Sequence, residues 1–275
     1  MIDPHCKKII LNNQVLDSNV FDFDIVSKGE SVYDVIRIIN SVPLFFDEHV
    51  IRLHDSAKLS GLKLWLAKDE IKNNIVKLIN INKIVKGNIE IIFNFNSDKT
   101  NFIAHSIKHT YPSKNNYKKG VSTITHFAER ENPNAKIKNR ILRYATNKII
   151  IKNKVFEAIL VDKKGYVTEG SRSNIFFIKE NKVYTPPVED VLPGITRKHI
   201  ISICENLNFE LIEQKIFYKD INSFQSAFIT GTSPKVLPIS NIDNTSFVIQ
   251  NFILNKILKH FDYEIIKDIR ENSKY

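Results

Sequence analysis

Between Glu157 and Pro187 the chain reads EAILVD-KKG-YVTEGSRSNIFFIK-ENK-VYTPP. Short β-branched and aromatic runs alternate there with tight polar turns, so the block must form a series of short strands. The flanking segments have a different period. NRILRYATNKIII (139–151) carries Ile141, Leu142, Ala145 and Ile149 at helical spacing. GITRKHIISICENL (194–207) reads as a helix opening on Gly and Thr, and FVIQNFILNKILKHF (247–261) as a closing amphipathic helix.

The first half repeats the theme. KKIILNNQVLD (7–17) and VYDVIRII (32–39) predict strands. From Asp47, taken as an N-cap, DEHVIRLHDSAKLSGL gathers Val50, Leu53, Ala57 and Leu59 toward one face. KDEIKNNIVKLINI (68–81) is a second helix through Ile71, Ile75, Leu78 and Ile79; NIEIIFNF (88–95) and FIAHSIKH (102–109) return to strands. TYPSKNNYKKG (110–120) is polar and aperiodic. Strands grouped with helices, without strict alternation, predict an α/β chain of α+β order. We expect a small N-terminal domain over 1–112, a linker at 113–120 and a larger C-terminal domain over 121–275.

Composition narrows the function. The chain has 275 residues, 40 Lys+Arg against 30 Asp+Glu, a formal charge of +10 and two cysteines. The basic residues are dispersed and no nucleic-acid motif accompanies them, so no nucleic-acid partner is expected. A basic surface for small anions fits better. No apolar stretch is long enough for a membrane span. The start, MIDPHCKKII, has no signal-peptide pattern, and Cys6 and Cys204 suggest ordinary thiols in a cytoplasmic protein. With no paired Cys/His spacing, no metal is expected.

Four stretches could carry chemistry. In Val167-Thr-Glu-Gly-Ser-Arg-Ser-Asn174 a glutamate ends a strand; it is either a solvated hairpin residue or a carboxylate aimed into a cleft. Leu192-Pro-Gly-Ile-Thr-Arg197 delivers a turn to a helix start whose free amides attract phosphate, or it is an ordinary capped helix. Thr230-Gly-Thr-Ser-Pro234 could add amides and hydroxyls to the same anion, or be a plain turn. Arg52, on the first helix, is a surface arginine or a phosphate fork.

Their order along the chain, with a lysine in Asn134-Ala-Lys-Ile-Lys-Asn-Arg140, resembles the class IV aminotransferases, the fold type IV pyridoxal-phosphate enzymes. That group includes branched-chain and D-amino-acid aminotransferases and aminodeoxychorismate lyases. The resemblance runs from about Ser31 to Asp243 and implies two domains with pyridoxal 5'-phosphate in the cleft between them.

By this resemblance, Lys136 matches the lysine that bonds the cofactor, in a Lys-x-x-Asn pattern that Lys136-Ile-Lys-Asn139 fits. A helix opening near Ile137 would turn Lys138 about 200° away, leaving it a solvated charge. Glu169 matches the carboxylate beside the pyridine nitrogen. Arg52, Ile195, Thr196, Gly231 and Thr232 match phosphate contacts. Tyr33 aligns with a substrate-side tyrosine. The Arg-x-His pair of D-specific members and the Arg-Pro segment of branched-chain members are missing from IIFNFNSDKTN. Arg140 matches an arginine of the lyases, and Arg130 is a candidate carboxylate contact.

The resemblance therefore implies amino-group transfer between an amino acid and a 2-oxo acid, of branched-chain-aminotransferase type, by a homodimer. Lysis of aminodeoxychorismate to 4-aminobenzoate and pyruvate is the alternative. A non-catalytic basic binding protein is the remote one.

Overall fold

The computed structural model describes residues 6–97 and 99–273. The chain divides into two compact units. The first comprises residues 1–110, 135–138 and 265–275; the second comprises 111–134 and 139–264.

The first unit opens with β1 (Lys8–Leu11) and β2 (Gln14–Asp17), a hairpin closed by Asn12 and Asn13 with φ of 47° and 69°. Asparagine tolerates this left-handed pair, and such a turn matches strand twist. Next come β3 (Glu30–Ile39), β4 (Val42–Pro43), α1 (Phe46–Leu59), α2 (Lys68–Asn82), β5 (Lys86–Phe95) and β6 (Thr100–Ile107). The sheet order is β2-β1-β6-β5-β3-β4.

One face of this sheet is apolar. Val32, Ile36, Ile89, Ile91, Phe93 and Phe102 pack there against Val50 and Leu53 of α1 and Ile71, Ile75 and Leu78 of α2. Leu59, expected on the same face, is 61% exposed because the helix ends on it. Asp47 lies in the first turn of α1 and is not its cap; Phe45 occupies that position and donates its N–H to Asp268 Oδ2 at 2.9 Å.

The second unit contains α3 (Lys114–Lys119), β7 (Val121–Phe127), α4 (Arg140–Asn153), β8 (Glu157–Val161), β9 (Tyr166–Gly170), β10 (Asn174–Lys179) and β11 (Lys182–Thr185). Then follow α5 (Ile195–Asn206), β12 (Glu210–Glu213), β13 (Ile216–Phe217), β14 (Ser226–Gly231), β15 (Lys235–Ile242), β16 (Thr245–Ser246) and α6 (Phe252–Asn272). Its sheet runs β12-β11-β10-β14-β15-β7-β8-β9-β13, with β16 on β15.

The polar stretch 113–120 is not a bare linker but contains the short helix α3. Ser113 caps it, and the Tyr117 hydroxyl donates to the Pro234 carbonyl at 2.9 Å. Residues 247–251 precede the last helix instead of joining it. Asn251 accepts from the Ile253 and Leu254 amides there, as an N-cap does. Among the described residues no helix is long and apolar enough to cross a membrane, and no cluster of three His, Cys, Asp or Glu could hold a metal.

Gly29 leads into β3 with φ of +70°, and a Cβ there would lie 2.0 Å from the Phe95 carbonyl oxygen. Gly29→Ala is therefore strained in conformation and in space. It should cost about 1–3 kcal/mol, read as a lowered urea midpoint at unchanged slope.

Candidate active site

Lys136 does not lie at the mouth of a helix. Residues 136–138 are extended, and Ile137 bridges Val32 of β3 in antiparallel sense. The Tyr33 amide donates to the Lys136 carbonyl at 3.1 Å, and the Lys138 amide to the Ser31 carbonyl at 3.2 Å. The Lys136 amide donates to Ser56 Oγ at 3.1 Å, and that hydroxyl donates to the Arg52 carbonyl at 2.7 Å. A strand edge and a helix thus hold the Lys136 backbone together.

The extended geometry overturns the expectation for Lys138. Alternate residues of an extended chain point to the same side. Lys136 Nζ lies 5.0 Å from the centre of the Tyr33 ring and Lys138 Nζ lies 5.1 Å from it. The Lys138 side chain is only 16% exposed and pairs with Glu90 at 2.9 Å. Helix α4 starts later, at Arg140, where Asn139 accepts from the Leu142 amide.

On the opposite face of β3, Asp34 is fully buried between two residues of α1. Arg52 donates from Nε to Asp34 Oδ2 at 2.9 Å and from Nη2 to Oδ1 at 2.6 Å. His49 Nδ1 is 3.0 Å from Oδ1. Burial disfavours charge on Asp34, but Arg52, His49 and Lys136 outweigh it and hold the carboxyl well below its ordinary range. Burial pulls His49 below its usual value, with Asp34 opposing and Arg52 and Lys136 assisting. Arg52 is thus neither a surface arginine nor an uncommitted phosphate fork. Two of its five N–H donors are directed to Asp34.

The second unit assembles the other candidates. Glu169, near the end of β9, is 2% exposed. Arg130 Nε lies 2.6 Å from Glu169 Oε1, a close ionic contact in which the N–H does not line up on the oxygen. The Leu192 amide donates to Oε2 at 3.2 Å, and Arg130 Nη2 donates to the Ser171 carbonyl at 3.4 Å. This pairing ties Arg130 to the candidate cofactor carboxylate.

The serines after Glu169 serve a second buried acid, Glu157. Ser171 Oγ donates to its Oε1 at 2.6 Å and Ser173 Oγ to its Oε2 at 3.1 Å. A Cβ on Gly170 would meet Ser173 Oγ at 2.1 Å, so only glycine lets the loop close so tightly.

Strand pairing brings the two small-residue loops side by side. Asn174 of β10 is in register with Thr230 of β14. Asn174 Nδ2 donates to the Leu192 carbonyl at 2.8 Å, fixing the turn before α5. No side chain caps α5, whose first residues Ile195 and Thr196 are buried. Among the described residues Thr230 Oγ1 is buried without a hydrogen-bond partner, beside Gly231 and Thr232. Uncapped amides, a glycine and an orphaned hydroxyl suit a small anion such as a phosphate group. Arg140 is exposed on the first turn of α4.

The class IV aminotransferase family model matches residues 31–242. The chain belongs to the class IV aminotransferases. It is 29% identical to the D-alanine aminotransferase of Bacillus licheniformis, over 92% of this chain and 99% of that one. It is 27% identical to the branched-chain-amino-acid aminotransferase of Pseudomonas aeruginosa, over 71% and 69% of the two chains. The fold is also that of the branched-chain aminotransferase of the archaeon Thermoproteus uzoniensis, solved with norvaline. The two superpose with a TM-score of 0.85 at 23% identity, over 97% of this enzyme and 97% of the other.

Several of the enzyme's polar groups carry no motif: Asp34, Glu90, His105 and Glu157. The first three do have a signal in the sequence. Each is a polar residue inside an apolar strand run, a placement that costs free energy unless a partner is at hand. Asp34→Asn would leave Arg52 as a buried charge with a weakened partner and should cost about 3–5 kcal/mol by urea unfolding. Because the folded pKa of Asp34 is depressed, its stabilisation is complete above the ordinary value of 3.8 and is lost as pH falls below it. The gap between native and variant should therefore narrow in acid.

Proposed function

We propose that this aminotransferase uses pyridoxal 5'-phosphate to move an amino group between an amino acid and a 2-oxo acid, with a branched-chain-aminotransferase type of pocket. The family match that spans Lys136 and Glu169 carries the reading. When bound, the cofactor supplies an electron sink for the bond broken at the substrate Cα.

The chain's own groups divide the remaining work. Lys136 would hold the cofactor through Nζ and would carry the proton at the substrate Cα. Its backbone hydrogen bonds to Tyr33 and Ser56 fix the point from which that side chain projects. Glu169, steadied by Arg130 and the Leu192 amide, supplies the carboxylate for the ring nitrogen. The amides of Ile195, Thr196, Gly231 and Thr232 would receive the phosphate, with the Thr196 and Thr232 hydroxyls. Arg52 would add charge from the N–H groups that Asp34 leaves. Tyr33 borders the substrate through the ring shared by both lysines.

A homodimer accompanies this reading. Ile141, Tyr144 and Ile151 of α4 are 86%, 73% and 76% exposed and fall on one stripe of the helix. Such a stripe suits a second copy of the chain.

Purified enzyme should be yellow, with a violet or near-ultraviolet band that borohydride bleaches. Half-reaction spectroscopy against a panel of L- and D-amino acids should convert that band, and the preferred donor fixes stereochemistry and substrate. Lys136→Ala should lose both the band and turnover; transamination surviving in that variant overturns the assignment. Formation of 4-aminobenzoate from aminodeoxychorismate without a 2-oxo acid would replace transamination by lysis.

A further inference from the structure

The face of the first sheet that carries Tyr33 is apolar at Ile92 and Ile103 but also buries charged groups. In register, Val35 of β3 faces Glu90 of β5, which faces His105 of β6. Tyr33 faces Ile92, one alternation along. Tyr33, Glu90 and His105 therefore share one side, opposite the apolar face covered by α1 and α2. Glu90 is 8% exposed and His105 is fully buried. Lys138 Nζ donates to Glu90 Oε2 at 2.9 Å, and His105 Nε2 lies 3.0 Å from the same oxygen. Burial opposes the Glu90 charge, but Lys138 and His105 lower its carboxyl to about 2.

Stability does not account for this cluster. A buried ion pair gains little over apolar residues of the same volume. Position accounts for it better. The two lysines lie over the same Tyr33 ring, and in the reading above Lys136 is the amine that handles the substrate nitrogen. An amino acid engaged there has its carboxylate one carbon further on. The Lys138 ammonium has three donors, of which Glu90 takes one. The arginines considered for this task are elsewhere: Arg130 is on Glu169, and Arg140 is exposed.

We propose that Lys138, positioned by Glu90 and His105, binds the α-carboxylate of the amino-acid substrate. The proposal rests on the transaminase reading above. Glu90 neutralises the ammonium when no substrate is present and aims it when one is. Lys138 thereby becomes a substrate-contacting residue, and Glu90 and His105 are positioning residues.

The test compares kcat/KM for the fastest amino acid of the panel with that for its α-carboxamide, which lacks the negative charge. The native holoenzyme should prefer the acid, and Lys138→Met should reduce that preference by roughly tenfold or more. Lys138→Arg should keep most of it. Glu90→Gln should raise KM for the acid more than it lowers kcat, and leave the amide little affected. Lys138→Gln measures the same ratio if the Met variant does not fold. An unchanged acid-to-amide preference in the Lys138 variants, with activity merely lowered overall, overturns the proposal. Failure of the transaminase reading would be seen separately, as a native enzyme that converts no amino acid.

Discussion

The pair of backbone hydrogen bonds between β3 and residues 136–138 is the constraint on which the site's geometry depends. Tyr33 N–H to Lys136 and Lys138 N–H to Ser31 make this segment an extra piece of strand at the sheet edge. Had the segment been helical, as the following α4 suggests, the two lysines would diverge. As strand, they project together, and Tyr33 meets both. The surrounding chain belongs to the second unit, so this short insertion brings Lys136 onto the scaffold of the first.

Around that insertion the first unit arranges two buried charge networks, one on each face of its sheet. Asp34, His49 and Arg52 lie on the helix side; Glu90, His105 and Lys138 lie on the other. Each carboxylate holds its charge because cations offset the cost of burial. Such networks fix side-chain direction more than they add stability. Lys136 is within electrostatic reach of the Asp34 network.

The second unit solves a different problem with neutral groups. Register between β10 and β14 sets Asn174 beside Thr230, and Asn174 in turn holds the Leu192 turn. An uncapped helix start and a glycine loop, distant in sequence, become neighbours. Close packing is what demands glycine at Gly194, where a Cβ would meet Asn174 Oδ1 at 2.1 Å.

Periodicity alone is enough for the strand block from Glu157, for α2 with its buried Ile71, Ile75, Leu78 and Ile79, and for α5. Motif order is enough for the family. Local patterns can do this because alternation and helical spacing are properties of neighbouring residues. They cannot assign Lys138, which helical spacing turns to solvent but the structure pairs with Glu90. Nor can they assign Arg130, a plausible substrate contact by position but paired with Glu169 in the fold. A charge's partner is chosen by strands that meet across long stretches of chain. Glu90 reaches Lys138 only because residues 136–138 return to β3, and Arg130 reaches Glu169 only across the folded second unit. Residue types and their local order were written in the sequence; which charge meets which partner was decided by the tertiary pairing.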